Sequence, residues 1–466
     1  MIITIDNWGP IAHCEYDLSK RLIVTYGDNN IGKSYAMQVM YLLLKSVLSV
    51  EPYYKIMYLY GGQRDDIAQK IRKLVLSFAD GSDQDVDITD DVTEISGEYL
   101  RELILPQFNE SLRNSFGQYE NLVDKNPIIR LSVNEGYFEI RLKDYIVNYK
   151  FTNKKICLKR TQSSYHKSRE LKNEYDIYVV ENTDGSKLTD SAARLVMDKI
   201  YESAHQFIKE ITTQITEVHY LPASKAGLAI GMNSLGPIMA QLSRNRERFT
   251  KGFQISSIPE PFSDYYLELC SIESRKRGKY NDSAEAIENN ILGGKVIFDA
   301  KTKELLYNRQ GTDEKISMTD ASSMVAEVSP LAAFFKYIVS GTAIKQDSKA
   351  LIFIEEPEAH LHPRNQVKLA RELVEIAKNG ATLVVASHSN YMFYAYNNMV
   401  LGGSLSGEVY CPVLMRIIGN YSSAIKMPMD EFGVDDLNFI ETADSLSEER
   451  EEYIIKAMEE LDDKTN

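Results

Sequence analysis

Eight residues constrain this chain more than any others: "GDNNIGKS", Gly27 to Ser34. They fit a glycine, four free positions, then Gly-Lys-Ser. The stretch before them, "RLIVTY", is apolar and β-branched, like a buried strand. The stretch after them, "SYAMQVMYLLLKSVL", has helical spacing. A loop in that setting aims backbone N–H groups and a helix start at one point, which suits phosphate oxygens. Gly27, Asp28, Asn29, Asn30, Ile31, Gly32, Lys33, Ser34 and Tyr35 then form the cradle. Lys33 is read as reaching the β- and γ-phosphates of a bound nucleotide, and Ser34 as offering its hydroxyl to Mg2+.

"LIFIEEPEAHLHP" supplies the second constraint. An apolar strand ending in Glu355-Glu356 places two carboxylates at its C-terminal tip, where open α/β sheets bind ligands. Glu355 is the candidate for holding Mg2+ through water. Glu356 is the candidate for orienting and polarising the attacking water. "LVVASHSNYM" places His388 at the tip of the next apolar strand, 32 residues after Glu356 and across one helix. From there it can sense a γ-phosphate. A carboxylate pair followed by a switch histidine favours hydrolysis over transfer to an acceptor. "HLH" (His360, His362) reads as a structural turn after the strand.

The alternation of "ALIFIEE", "NQVKLARELVEIAKNG" and "ATLVVAS" implies a parallel α/β core. Short alternating runs, "IITI", "AHCEYDL" and "IIRLSVNEGYFEIRLKDYIVNYKF", read as strands. "EYLRELILPQFNESLRNSFG" and "DSAARLVMDKIYESAHQFIKEITTQI" read as helices, and "GGKVIFDAKTKELLYNRQG" as a hairpin. Neither internal repeats nor a sustained heptad pattern is visible. The expected division is 1–50, 215–235 and 291–445 as one α/β unit. Lobes fill 51–214 (mixed) and 236–290 (helical), and 446–466 is an acidic helix.

The net charge of −14 argues against a surface that tracks nucleic acid along its whole length. One strip departs from it: Lys150, Lys154, Lys155, Lys159, Arg160, Lys167, Arg169 and Lys172 face one acid, Glu170. It reads as a solvated loop or as a contact for DNA or an acidic partner. The chain carries no apolar run long enough to cross a membrane. "MIITIDNWGP" lacks the marks of a secretion signal. Cys14, Cys157, Cys270 and Cys411 are far apart, as reduced thiols of a cytoplasmic protein would be.

Taken together, the loop, "IEEPEAHLHP" and "SHS" resemble the ABC-type ATPases of the SMC/RecF/OLD (AAA-15-like) group. "IDNWGPI", with Trp8 for the usual Phe, "YLPASKAGL", "ASSMVAEVSPL" and "DEFGVDDLNFI" are similar to further segments of that group. The resemblance covers about residues 1–48, 215–235 and 290–445. It implies an α/β ABC-type head: a P-loop parallel core sheet plus an antiparallel N-terminal β-subdomain, with helical insertion lobes. It also implies a homo-oligomer in which two heads sandwich two ATPs. Ser322 and Ser323 would then be the signature offered to the partner's γ-phosphate, with Met324 where a glycine is usual. A plain serine helix cap is the alternative. Gln107 would be the Q-loop ligand near Mg2+.

Within the group, OLD nucleases add a Toprim domain, for which the 78 residues after His388 are too few. The chain therefore resembles ATPase subunits of two-gene anti-phage systems such as PARIS or Septu. There the effector, a Toprim-like or HNH nuclease, is a separate protein released by a phage trigger. A RecF- or SMC-like DNA-repair ATPase is the alternative.

Overall fold

The computed structural model describes residues 1–466 except 51–64, 81–85, 152–154, 162–168, 172–174, 182–184, 224, 229–257, 274–277, 340–347 and 466. Eleven strands share one sheet. From the N-terminal part come β1 (Ile2–Trp8), β2 (Ile11–Asp17) and β3 (Leu22–Tyr26). β4 (Val86–Asp87) lies elsewhere, and β5 (Ile128–Val133), β6 (Gly136–Arg141) and β7 (Ile146–Lys150) rejoin the sheet. β8 (Lys155–Thr161), β9 (Arg169–Leu171) and β10 (Tyr175–Glu181) form a small sheet with β4. β11 (Glu217–Leu221) returns to the main sheet, whereas β12 (Gly294–Asp299), β13 (Glu304–Arg309) and β14 (Lys315–Ser317) make a separate antiparallel meander. β15 (Ala350–Glu355), β16 (Thr382–Ala386), β17 (Tyr410–Ile418) and β18 (Tyr421–Lys426) complete the main sheet.

Its strand order is β11-β15-β16-β3-β17-β18-β2-β1-β5-β6-β7. The pairs from β11 through β17 are all parallel, as the apolar runs predict. β3, β15 and β16 are buried on both faces, so they need apolar residues throughout. Successive side chains point to opposite faces. Leu351 and Phe353 join a core beneath the helices Lys33–Leu48, Thr89–Ser115 and Gly185–Thr212. Ile352 and Ile354 join the other core, beneath the helices Ser323–Ala333, Pro363–Lys378 and Asn390–Leu401.

The far end is mainly antiparallel, with β1 pairing β2 and β5, and β5 to β7 a meander. Residues 128–150, expected inside a separate lobe, thus extend the main sheet. Ile129, Leu131 and Val133 alternate inward and bury against the same core as β1. The helix Thr89–Ser115 starts well before "EYLREL" because Asp90 and Asp91 favour a helix N-terminus. Of the lobe expected at 236–290, the helices Glu260–Cys270 and Asn281–Ile287 are described, whereas "SRNRERF" lies outside the described residues. Lys154, Lys167 and Lys172 of the basic strip lie outside them as well. No helix among the described residues is long and apolar enough to cross a membrane.

Candidate active site

Three neighbouring strand tips build the site. The ladder pairs Glu355 of β15 with Ala386 of β16, and Ala386 with Thr25 of β3. It runs one residue further: Glu356 N–H donates to Ala386 C=O at 2.9 Å, and Ser387 N–H to Thr25 C=O at 3.0 Å. The segments leaving the three tips therefore emerge side by side. The loop after β3, the carboxylates after β15 and the histidine after β16 line one cavity of about 250 Å³. Its walls are Asn29, Asn30, Gly32, Lys33, Ser34, Tyr35, Glu355, Glu356, Ala386 and His388.

The loop's shape depends on its glycines. Gly27 has φ +137°, and a Cβ there would sit 2.1 Å from the Met415 carbonyl oxygen. Gly32 has φ +104°, and its Cβ would strike Ile11 and Pro10 at under 3 Å. Only glycine supplies such angles without strain. Asn30, also left-handed at φ 62°, belongs to a residue type that tolerates the region. Ser422 on β18 ties the loop down, its Oγ donating to the Ile31 carbonyl at 2.5 Å and the Pro10 carbonyl at 3.1 Å.

Lys33 is buried, and its Nζ donates to the Gly27 and Asp28 carbonyls at 2.9 and 2.6 Å. Burial pulls its pKa down to about 8, against the attraction of Glu356, Asp28, Glu358 and Glu355. An anion bound beside it favours the charged form. Nucleotide affinity is therefore expected to hold below about pH 8 and to fall as pH rises through it. Equilibrium titration of ATP across that range, from neutral to alkaline pH, checks this; affinity independent of pH would remove Lys33 from phosphate contact.

Glu355 is buried, and burial raises its pKa against hydrogen bonds from Tyr220, Ser34 and the Ala223 backbone. The Ser34 hydroxyl and the Glu355 carboxylate are thus in direct contact. They form a hard-oxygen pair of the kind Mg2+ takes, its remaining ligands coming from phosphates and water. Among the described residues no cluster of three or more His, Cys, Asp or Glu could hold a metal by itself. The residues present fit a metal that arrives with a nucleotide.

Glu356 stands half-exposed at the mouth, with His388 Nε2 3.8 Å from its Oε1. Its backbone is left-handed, φ 42°, an uncommon conformation for a glutamate. That twist comes directly after the strand. Burial first, then the Lys33 ammonium, lower the His388 pKa, opposed by Glu356 and by a hydrogen bond to the Gly27 backbone. The imidazole lies between the loop and the Glu356 carboxylate.

Glu358, two residues after Glu356, fixes this arrangement. Buried beneath the turn, it accepts from Ser387 Oγ at 2.8 Å and from His388 N–H at 2.6 Å. A third acid directly after Pro357 was the available signal. His362 caps the helix Pro363–Lys378 by accepting from Arg364 N–H at 3.3 Å, the structural role expected of "HLH".

Three expected residues lie away from the cavity. Gln107 sits within the helix Thr89–Ser115, where its Oε1 accepts from Ser49 Oγ at 2.6 Å. It does not line the cavity, because the helix that carries it packs beneath the far end of the phosphate-loop helix. Ser322 and Ser323 are exposed at the start of the helix Ser323–Ala333, outside the cavity of their own chain. Ser322 takes the extended backbone of a cap, without a side-chain cap bond.

A family model described as an AAA ATPase domain matches residues 1–393. No curated protein matches the chain. Among solved structures, an SMC head bound to the C-winged helix domain of ScpA is 10% identical, with a TM-score of 0.37, over 92% of this chain and 98% of that one. The SMC head domain from Thermotoga maritima is 10% identical, with a TM-score of 0.35 over the same shares. An SMC head with an extended coiled coil, bound to the C-terminal domain of ScpA derived from Pyrococcus furiosus, is 13% identical. It has a TM-score of 0.33 over 97% and 98% of the two chains.

Proposed function

Because the chain belongs to the AAA ATPase domain family, we propose that it binds ATP with Mg2+ at the tips of β3, β15 and β16 and hydrolyses it. One observation carries this: Lys33, Ser34, Glu355, Glu356 and His388, from three separate stretches of sequence, line one cavity. Lys33 and the loop N–H groups bind the phosphates. Ser34 and Glu355 would hold the metal, which when bound would supply positive charge near the phosphoryl oxygens. Glu356 takes the proton of the attacking water, and His388 contacts the γ-phosphate.

Two copies pair through these faces, each offering Ser322 and Ser323 to its partner's nucleotide. Their exposure supports this, since a group inside its own cavity could not serve a neighbour. A serine at a helix start supplies a hydroxyl and free N–H groups to an anion. The closing and opening of the pair then holds and releases a separate effector, a Toprim-like or HNH nuclease of an anti-phage complex, when a phage protein triggers it. Two tests separate this from a RecF- or SMC-like ATPase working on DNA. Co-expression with the product of the adjacent gene is expected to yield one complex on gel filtration. Recovery of the ATPase alone, with turnover stimulated by duplex DNA and steeply weakened by salt, would overturn the effector role in favour of DNA.

A further inference from the structure

The segment leaving β11 touches both halves of this machinery. Tyr220 donates its hydroxyl to Glu355 Oε1, and the Ala223 backbone bonds the same carboxylate. Lys225 Nζ donates to the Glu355 carbonyl at 3.0 Å and to Glu327 Oε1 at 3.1 Å. The Lys225 and Ala226 N–H groups donate to Glu327 Oε1 and Oε2 at 3.2 and 3.0 Å. The Lys225 and Glu327 side chains are 1% and 4% exposed.

Glu327 lies four residues, about one turn, after Ser323 on the same helix. Glu355 in turn meets the Ser34 hydroxyl. An unbroken chain of polar contacts therefore runs from the phosphate loop through Glu355 and Lys225 to the helix that starts at Ser322–Ser323. A buried ion pair is a weak way to hold a fold, since apolar residues of similar volume do as well. It does fix geometry, because each charge tolerates few positions for the other.

We propose that Lys225 is a positioning residue joining the carboxylate strand of the ATP site to the serine-bearing helix. What occupies the phosphate site of one copy then sets the surface that copy offers to the next. This rests on the paired ATPase reading above. Neither Lys225 nor Glu327 lines the cavity, so their effect must pass through Glu355 and the helix.

Removing one charge of a buried pair can unfold a protein, so the deciding variant removes both: Lys225→Met with Glu327→Gln. The glutamine oxygen can still accept from one of the two backbone N–H groups. Melting temperature and ATP affinity are expected to stay close to wild type, affinity within about threefold. The kcat for ATP is expected to fall about tenfold or more, and ATP-driven pairing on gel filtration to weaken in parallel. Lys225→Arg, which keeps both contacts in reach, is expected to recover most of kcat. A double variant with wild-type kcat and pairing would overturn the proposal. So would a kcat loss matched by equal losses of melting temperature and affinity, which marks a purely structural pair. If wild type itself neither hydrolyses ATP nor pairs, the ATPase reading fails instead.

Discussion

Glu356→Gln is expected to bind ATP about as tightly as wild type and to hydrolyse it about 10²–10⁴-fold more slowly. General bases contribute rate factors of that size, and an amide cannot take the proton of the attacking water. Glutamine keeps the volume of the side chain. Glu356 is half-exposed and lies outside the Lys33 and Ser34 hydrogen bonds, so phosphate contacts survive the change. Single-turnover phosphate release beside an equilibrium nucleotide titration measures the two quantities separately. Slow release with intact binding should also trap the closed pair and, with it, the effector. Wild-type turnover would remove Glu356 as the base.

Lys33→Ala should weaken ATP binding by about 10²–10³-fold, the scale of removing one partner from a buried, hydrogen-bonded charge pair. The fold should tolerate it, because Lys33 is bonded only to carbonyls of its own loop. Unchanged affinity would refute the phosphate loop. Lys33→Ala also gives a sharper test when mixed with Ser323→Arg, where each chain alone should be inactive. In a mixed pair, one site combines an intact Lys33 with an intact Ser323 from the other chain. About half the sites of mixed pairs lost, with activity otherwise restored, is expected; no restoration would show that the serines do not act across a pair.

The candidate site residues could be picked out along the chain because of where they stand in it. Each catalytic candidate sits at the end of an apolar run, and a strand tip is a local feature. "RLIVTY", "ALIFIEE" and "ATLVVAS" are continuous apolar because both faces of a central parallel strand are covered. That same property announces where the tips fall. The phosphate loop needs only its own glycines and the adjoining helix, so eight consecutive residues suffice to recognise it.

What the sequence by itself determined is therefore the short-range part: the loop of Gly27–Ser34, the Glu355-Glu356 pair, His388 and the parallel character of the strands between them. The tertiary structure alone decided the long-range part. It put β5 to β7 into the main sheet, because an antiparallel meander reads the same wherever it pairs. It moved Gln107 off the site, since a glutamine's role depends on which helix packs beside it. It brought Ser422 to the loop, Glu358 under His388, and Lys225 between Glu355 and Glu327, contacts spanning 29 to 391 residues of chain. The physical reason is common to all of these. A buried polar group must find its partner wherever the fold supplies one, and periodicity along the chain carries no record of which distant residue that is.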